Sequence, residues 1–133
     1  MWPPADDASI EARRIVICDY NALLLSVTGL LRISGYRVFQ AHDGLDAREL
    51  CYELPKIGLL ILNSTGAGVD TPSLIGLIRS EHPDLAVLHI GSSPLPGMPS
   101  DVPTLPESFT ADQLLGIVES LMPEPEIANV QAV

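Results

Sequence analysis

Short apolar runs alternate along this chain with segments in which apolar residues recur every three or four positions. The runs are typical of strands buried on both faces of a parallel sheet, and the recurring pattern is typical of amphipathic helices. Strands are predicted at 14–19, 36–41, 57–63, 85–90 and 102–105. Because strands and helices alternate with short connections, the sequence predicts an α/β fold, three-layered, with a doubly wound, parallel five-stranded sheet.

The third predicted strand changes abruptly from apolar to polar at its last residue, Asn63. Small residues follow at 64–68, which predicts a loop. In an open parallel sheet, ligands bind beyond the carboxyl ends of the strands, so Asn63 stands where a functional group is expected. The loop lacks the lysine and the spacing of a phosphate-binding P-loop, and we interpret it as a simple turn.

The segment between the fourth and fifth strands breaks the pattern. Prolines recur from Gly91 to Pro106, and no apolar stripe of helical spacing is present. Since proline cannot donate a helical hydrogen bond, we expect the helix of this connection, the fourth, to be absent or reduced to one turn. On the final helix, Leu115, Val118 and Met122 then form a candidate interaction face for a partner or a second subunit. The alternative is that the Pro-rich segment folds back over them.

Length and composition favour one folded domain. The chain has 133 residues, of which 47% are hydrophobic, and we expect a flexible leader at 1–12, a domain at 13–122 and a flexible tail at 123–133. Lys and Arg total 7 against 17 Asp and Glu, for a net charge of −10. This balance argues against nucleic-acid binding by this chain alone, because such binding needs clustered cations.

Nothing in the sequence predicts membrane insertion or export. No apolar run approaches the roughly 20 residues of a membrane span, and the amino terminus lacks the pattern of a signal peptide. Cys18 and Cys51 have no metal-binding or redox spacing. We interpret them as buried free thiols of a cytoplasmic protein.

The order of these parts resembles the receiver domain of two-component response regulators over roughly residues 13 to 122. Segment 14–19 resembles the first strand leading to the family's acidic pair, and 34–38 resembles its helix-to-strand junction. Segment 41–47 resembles the family's A-x-D/N-G-x-x-A stretch, and 105–109 lies where a Lys-Pro pair followed by Phe is usual. The resemblance implies a receiver or flavodoxin-like fold.

The resemblance also implies an active site. Receiver domains accept a phosphoryl group on an Asp at the end of the third strand. Two acidic residues help to hold Mg²⁺, a Lys pairs with the phosphoryl oxygens, and a Ser or Thr hydroxyl reports the event. The residues of this chain at or beside the corresponding positions are Asp19, Tyr20, Asn63, Gly91, Ser92, Thr104 and Glu107.

Most of these positions have lost the residue type that phosphotransfer needs. Asn63 replaces the acceptor Asp, and a neutral amide cannot form an acyl phosphate. Tyr20 replaces the second acidic residue, and Glu107 reverses the charge of the Lys. The hydroxyl position and the switching aromatic change as well, to Gly91 (with Ser92 beside it) and Thr104.

The sequence therefore predicts a pseudo-receiver that lacks the phosphoacceptor Asp and is not an enzyme. It would act in phosphorelay signal transduction through protein–protein interaction, without phosphorylation of its own. A histidine kinase, another regulator or a second copy of the chain are the expected partners. No cofactor is expected.

Two other hypotheses remain open at this point. The first is a flavodoxin-like sensor that binds a small ligand or cation in the crevice around Asn63, with Asp19 and Glu107 as oxygen ligands. The second is residual phosphotransfer to another acceptor, Ser64. The three histidines, at 42, 82 and 89, are too scattered to predict a catalytic or metal site.

Overall fold

The computed structural model describes residues 13–18, 22–54, 56–63, 70–92 and 95–122, without the side chains of 22–25. The predicted leader at 1–12 and tail at 123–133 lie outside the described residues. The strands are β1 (Arg14–Cys18), β2 (Arg37–Ala41), β3 (Ile57–Asn63), β4 (Ala86–Ile90) and β5 (Thr104–Leu105). The helices are α1 (Ala22–Ile33), α2 (Gly44–Glu53), α3 (Thr71–Glu81) and α4 (Ala111–Leu121).

The five strands form one parallel sheet in the order β2-β1-β3-β4-β5. The chain winds outward in both directions from the β1–β3 pair, which places the topological switch point at the carboxyl ends of these two strands. Helices α1 and α4 pack on one face of the sheet, and α2 and α3 pack on the other. The predicted three-layer α/β fold is confirmed.

The central strand β3 is apolar without alternation because each of its faces is covered. Leu59 and Ile61 pack into the cluster formed with α1 and α4, and Leu60 and Leu62 pack into the cluster formed with α2 and α3. All four side chains have no exposed surface. Burial of each contributes roughly 1.5–3 kcal/mol to folding, so β3 fixes the position of its terminal residue, Asn63.

Residues at the ends of three helices form the caps that the sequence predicts. After α1, Gly35 adopts φ +101°, a conformation that residues with a side chain rarely take. Helix α2 begins after Asp43, whose carboxylate accepts a hydrogen bond from the Asp46 N–H at 2.8 Å. Helix α4 begins with a capping box in which Thr110 and Gln113 exchange side-chain hydrogen bonds with each other's backbone N–H.

The connection from β4 to β5 contains no helix in its described residues, 91–92 and 95–103. The expectation of an absent or reduced fourth helix is confirmed. Two side chains of this segment, Met98 and Val102, pack into the cluster between the sheet and the helices α2 and α3. The segment therefore covers the face of the sheet opposite α4.

The candidate interaction face on α4 requires a correction. Val118 is fully buried and Met122 is only 7% exposed, and both belong to the core cluster with β4 and α1. Leu115 is partly buried against the same cluster. These side chains cannot form an exposed docking stripe because the sheet and α1 already cover them. Of the described side chains of the Pro-rich segment, Met98 and Val102 pack on the other face of the sheet.

Both cysteines are buried, as predicted, and they form no disulfide with each other. Burial raises the pKa of the Cys51 thiol to about 12, so it stays protonated and unreactive at neutral pH. Within the described parts of the chain, none of the helices has the length and apolarity needed to cross a bilayer.

Candidate functional site

The carboxyl ends of three adjacent strands bring the predicted site residues to one edge of the sheet. Asn63 ends β3 and lies in register with Ile90, the last residue of β4. Gly91 follows directly, and its N–H donates to the Leu105 carbonyl of β5 at 3.1 Å. Glu107 comes two residues after β5. Asp19 and Tyr20, predicted to belong to the same edge, lie outside the described residues.

Among the described residues of the predicted site, the side chains of Asn63 and Glu107 are in direct contact. The Asn63 Nδ2 donates to Glu107 Oε2 at 3.5 Å, across 44 residues of sequence. Asn63 is fully buried at the strand end, whereas Glu107 is exposed. A distance of 3.5 Å is at the long limit of a hydrogen bond, so this contact orients the amide more than it stabilises the fold.

The geometry directs the donor side of the Asn63 amide toward a carboxylate. Its nitrogen carries no available lone pair, so it cannot attack phosphorus. Glu107 adds negative charge beside this position, and at short range like charges repel strongly in a partly desolvated site. An incoming phosphoryl anion would meet a carboxylate where the phosphorylation chemistry needs a cation.

The Thr104 side chain contacts a histidine of the neighbouring strand. Its Oγ1 lies 3.0 Å from Nδ1 of His89, which belongs to the neighbouring strand β4 and pairs with Thr104 in register. His89 is fully buried, and burial lowers the pKa of its imidazole below the usual value. The ring is therefore neutral at pH 7. This contact gives the Thr104 hydroxyl a partner inside the sheet.

The remaining two predicted positions contribute no functional contact among the described residues. Gly91 is buried and has no side chain that could report phosphorylation. Ser92, its neighbour, is exposed. The structure thus brings Asn63 and Glu107 together. It also pairs Thr104 with His89, which the sequence did not predict as a site residue. The available signal was a polar histidine within an otherwise apolar buried strand.

The described residues do not fit a magnesium ion. Mg²⁺ needs near-octahedral oxygen coordination, usually with carboxylates, and this part of the edge supplies one amide and one carboxylate that already face each other. Among the described residues there is no group of three or more His, Cys, Asp or Glu side chains that could hold a metal ion.

Comparisons with known proteins point to one class of domain. The crystal structure of the receiver domain from the hybrid histidine kinase CckA superposes with a TM-score of 0.71 at 27% identity, covering 83% of this chain and 98% of that domain. The receiver domain of the sensor histidine kinase PA1611 from Pseudomonas aeruginosa PAO1, solved with a magnesium ion coordinated in its active-site cleft, gives a TM-score of 0.70 at 18% identity. That superposition covers 83% of this chain and 97% of that domain.

A sequence relative agrees with these structures. The chain is 24% identical over 125 residues to the sensor kinase CckA of Brucella abortus (strain 2308), an alignment that covers 89% of the chain and 13% of that kinase. No protein-family model matches the chain. The structures and the sequence relative that this chain resembles are thus receiver domains and a sensor kinase, which confirms the receiver-like fold that the sequence predicts.

Proposed function

We propose that this receiver domain is a pseudo-receiver, which signals through protein–protein contacts and does not accept a phosphoryl group. The contact between the Asn63 amide and the Glu107 carboxylate carries this proposal. In this proposal, the non-nucleophilic Asn63 amide stands at the acceptor position, with the negative charge of Glu107 beside it. These two changes oppose phosphotransfer independently, the first by removing the nucleophile and the second by repelling the donor.

The other assigned positions support the proposal in the same direction. Gly91 offers no hydroxyl, and the Thr104 hydroxyl is engaged with His89. By residue type, Tyr20 removes one acidic group beside Asp19. We assign Asp19, Tyr20, Asn63, Gly91, Ser92, Thr104 and Glu107 to this degenerate site.

The partner of a phosphorylation-independent receiver is proposed from its relatives. The proteins named above as similar are a sensor kinase and receiver domains of histidine kinases. We infer that this domain contacts a histidine kinase or another regulator of such a system. Its output would then depend on occupancy by the partner and not on its own modification.

Incubation with a small-molecule phosphodonor and Mg²⁺, followed by intact mass measurement, tests the proposal. A phosphorylatable receiver domain run in parallel shows that the donor is active. We expect no phosphoryl adduct on the natural chain, and none on Asn63→Asp, because Glu107 and Tyr20 remain. A stoichiometric adduct on the natural chain would overturn the proposal.

Stepwise restoration identifies which change blocks the chemistry. We expect labelling to return only when Asn63→Asp is combined with Glu107→Lys and Tyr20→Asp, because nucleophile, charge partner and metal ligand act as one unit. Full labelling of Asn63→Asp alone would show that Glu107 and Tyr20 do not oppose phosphotransfer.

A further inference from the structure

Helices α2 and α3 leave an apolar groove on the surface of the domain. Four large hydrophobic side chains among the described residues are substantially exposed, and three of them lie on these two helices. Leu45 and Tyr52 on α2 are 62% and 71% exposed, and Leu77 on α3 is 42% exposed. Clustered exposure of this kind on a small domain is typical of an interaction site.

Two open cavities that share Leu45 make the groove continuous. One, of about 460 Å³, extends along α2 past Arg48 and Tyr52 to Glu81 at the end of α3. The other, of about 290 Å³, lies between Leu45 and the first turns of α3, where Leu77 forms one wall. The groove therefore follows the length of α3, whose 11 residues span roughly 16 Å.

The charges that line the groove are predominantly negative. Glu49, Asp70 and Glu81 are carboxylates, and Arg48 is the one cation among the lining residues. Arg48 is already paired, with its Nε 3.5 Å from Glu81 Oε1. The Arg48–Glu81 pair leaves Glu49 and Asp70 as the uncompensated charges, so the lining combines exposed apolar side chains with a net negative charge.

The apolar and acidic side chains that line the groove favour one kind of binding partner over the others. A second copy docked through the same face would bring the acidic lining against itself, which is unfavourable in a symmetric interface. An anionic membrane surface would be repelled for the same reason. A helix that presents leucine-like residues on one face and Lys or Arg beside them matches both the apolar and the acidic features.

We propose that the α2–α3 groove is a docking site for a basic amphipathic helix of a partner protein, two to three turns long. Tyr52 and Leu77 supply the apolar contacts, and Glu49 attracts the flanking cations. The groove is formed by α2 and α3 and not by the strand ends, so the proposal holds whether or not the Asn63 site accepts phosphate.

A pair of synthetic peptides tests the proposal directly. The probe is a capped helical peptide of about 14 residues with Leu at helical spacing and Lys on both flanks. The control peptide has the same sequence with Glu in place of each Lys. We expect the Lys peptide to bind with a saturating fluorescence anisotropy signal and with NMR shifts concentrated on α2 and α3. We expect the Glu peptide to bind at least about tenfold more weakly. No binding of the Lys peptide at about 1 mM, or equal binding of both, would overturn the proposal.

Matched variants locate the binding surface. Leu77→Ser and Tyr52→Ser together should weaken the Lys peptide by about tenfold or more, whereas Ile33→Ser, at an 87% exposed apolar position on α1, should not. Glu49→Gln should weaken it several-fold, whereas Glu119→Gln on α4 should not. Equal effects of target and control variants would contradict the groove as the site.

Two further measurements keep these outcomes interpretable. Thermal unfolding of each variant should show a cooperative transition, because none of the substituted side chains is in the buried core. Sedimentation of the natural chain and of the Leu77→Ser/Tyr52→Ser variant tests the competing occupant. Self-association that the double variant abolishes would overturn the proposal in favour of a second copy.

Discussion

At the carboxyl end of β3, the difference between a carboxamide and a carboxylate decides what the site can hold. Asn63 is fully buried and directs an N–H toward Glu107. An aspartate there would be isosteric but would place a second negative charge within about 4 Å of Glu107. The Asn63 amide and the Glu107 carboxylate are therefore complementary as hydrogen-bond donor and acceptor.

Asn63→Asp should destabilise the fold in a pH-dependent way. Burial and the neighbouring carboxylate both raise the pKa of the introduced group in the folded state. The folded protein then keeps a proton that the unfolded chain has lost, so stability falls as pH rises above about 4. We expect the free energy of unfolding of the variant, measured with urea, to be lower by roughly 2–4 kcal/mol near neutral pH. The loss should be much smaller near pH 4.

A second substitution serves as the control for that prediction. Glu107→Gln alone should change stability little, because Glu107 is exposed. Combined with Asn63→Asp, it should recover part of the loss at neutral pH. A cost of Asn63→Asp that is the same at both pH values would contradict the proposed contact.

His89 is a buried neutral group whose protonation opposes folding. Its Nδ1 contacts Thr104, and its Nε2 is buried without a hydrogen-bond partner in the described part of the chain. Burial lowers the pKa of the folded-state imidazole. Stability is therefore fully present above the unfolded value near 6.5 and is lost as pH falls below it, since only the unfolded chain then takes up the proton.

His89→Leu should remove this dependence. In the natural chain, the urea concentration at the unfolding midpoint should decrease as pH is lowered from about 7.5 to about 5.5, with a slope set by the proton that the unfolded chain takes up. In His89→Leu the slope over this window should be smaller, because leucine does not titrate. An undiminished slope in the variant would assign the effect to another group.

At the scale of elements, the connection from β4 to β5 shows how a receiver fold covers its sheet without a helix. Met98 and Val102 supply the apolar contacts. Arg79 of α3 donates from Nε to the Leu85 carbonyl at 3.1 Å and from both terminal nitrogens to Asp101 at 3.0 and 2.8 Å. This pairing lowers the pKa of the Asp101 carboxyl. Arg79 thus connects α3 to the residue before β4 and to the segment that precedes β5.

Arg79→Ala should loosen this connection. It removes a bidentate pair, whose Asp101 side chain is 65% exposed, and a hydrogen bond to a backbone carbonyl. We expect a loss of about 1–2 kcal/mol and faster protease cleavage within 95–103. Arg48→Ala is the matched control, because its ion pair with Glu81 is one 3.5 Å contact between side chains that are 41% and 32% exposed. That change should cost about 0–0.5 kcal/mol. Equal costs would show that the bidentate geometry contributes nothing.

At the scale of the whole molecule, the two faces of the sheet are closed by different means. Helices α1 and α4 cover one face with a continuous cluster that extends to Met122. Helices α2 and α3, together with the segment containing Met98 and Val102, cover the other. The groove between α2 and α3 is thus on the outside of the second layer, and α4 is integral to the first.

Met122→Ala should destabilise the domain and not merely affect binding. Met122 is 7% exposed and packs in the α1–α4 cluster, so truncation leaves a cavity. We expect a loss of about 2–3 kcal/mol in the free energy of unfolding. Ile33→Ala, at an 87% exposed position, should change it by less than about 0.5 kcal/mol. Unchanged stability in Met122→Ala would restore the interpretation of this residue as part of an exposed face.

The sequence predicted elements well because their signals are local. The apolar run to Asn63 matches β3, the glycine at 35 ends α1 with a positive φ, and Thr110 with Gln113 forms the capping box that its spacing indicates. The prolines between β4 and β5 predicted the missing helix for the same reason. The apolar stripe on α4 was misassigned, because periodicity shows which residues share a helix face but not what covers that face.

The sequence by itself determined the order of strands and helices and the residue types at the carboxyl edge, since hydrophobic period, caps and turns act over a few residues. Tertiary structure alone decided that the Asn63 amide donates directly to Glu107, that Thr104 pairs with His89 across 15 residues, and that Met122 belongs to the core. Contacts between distant segments depend on how the layers pack, and the local hydrophobic period does not show which segments meet.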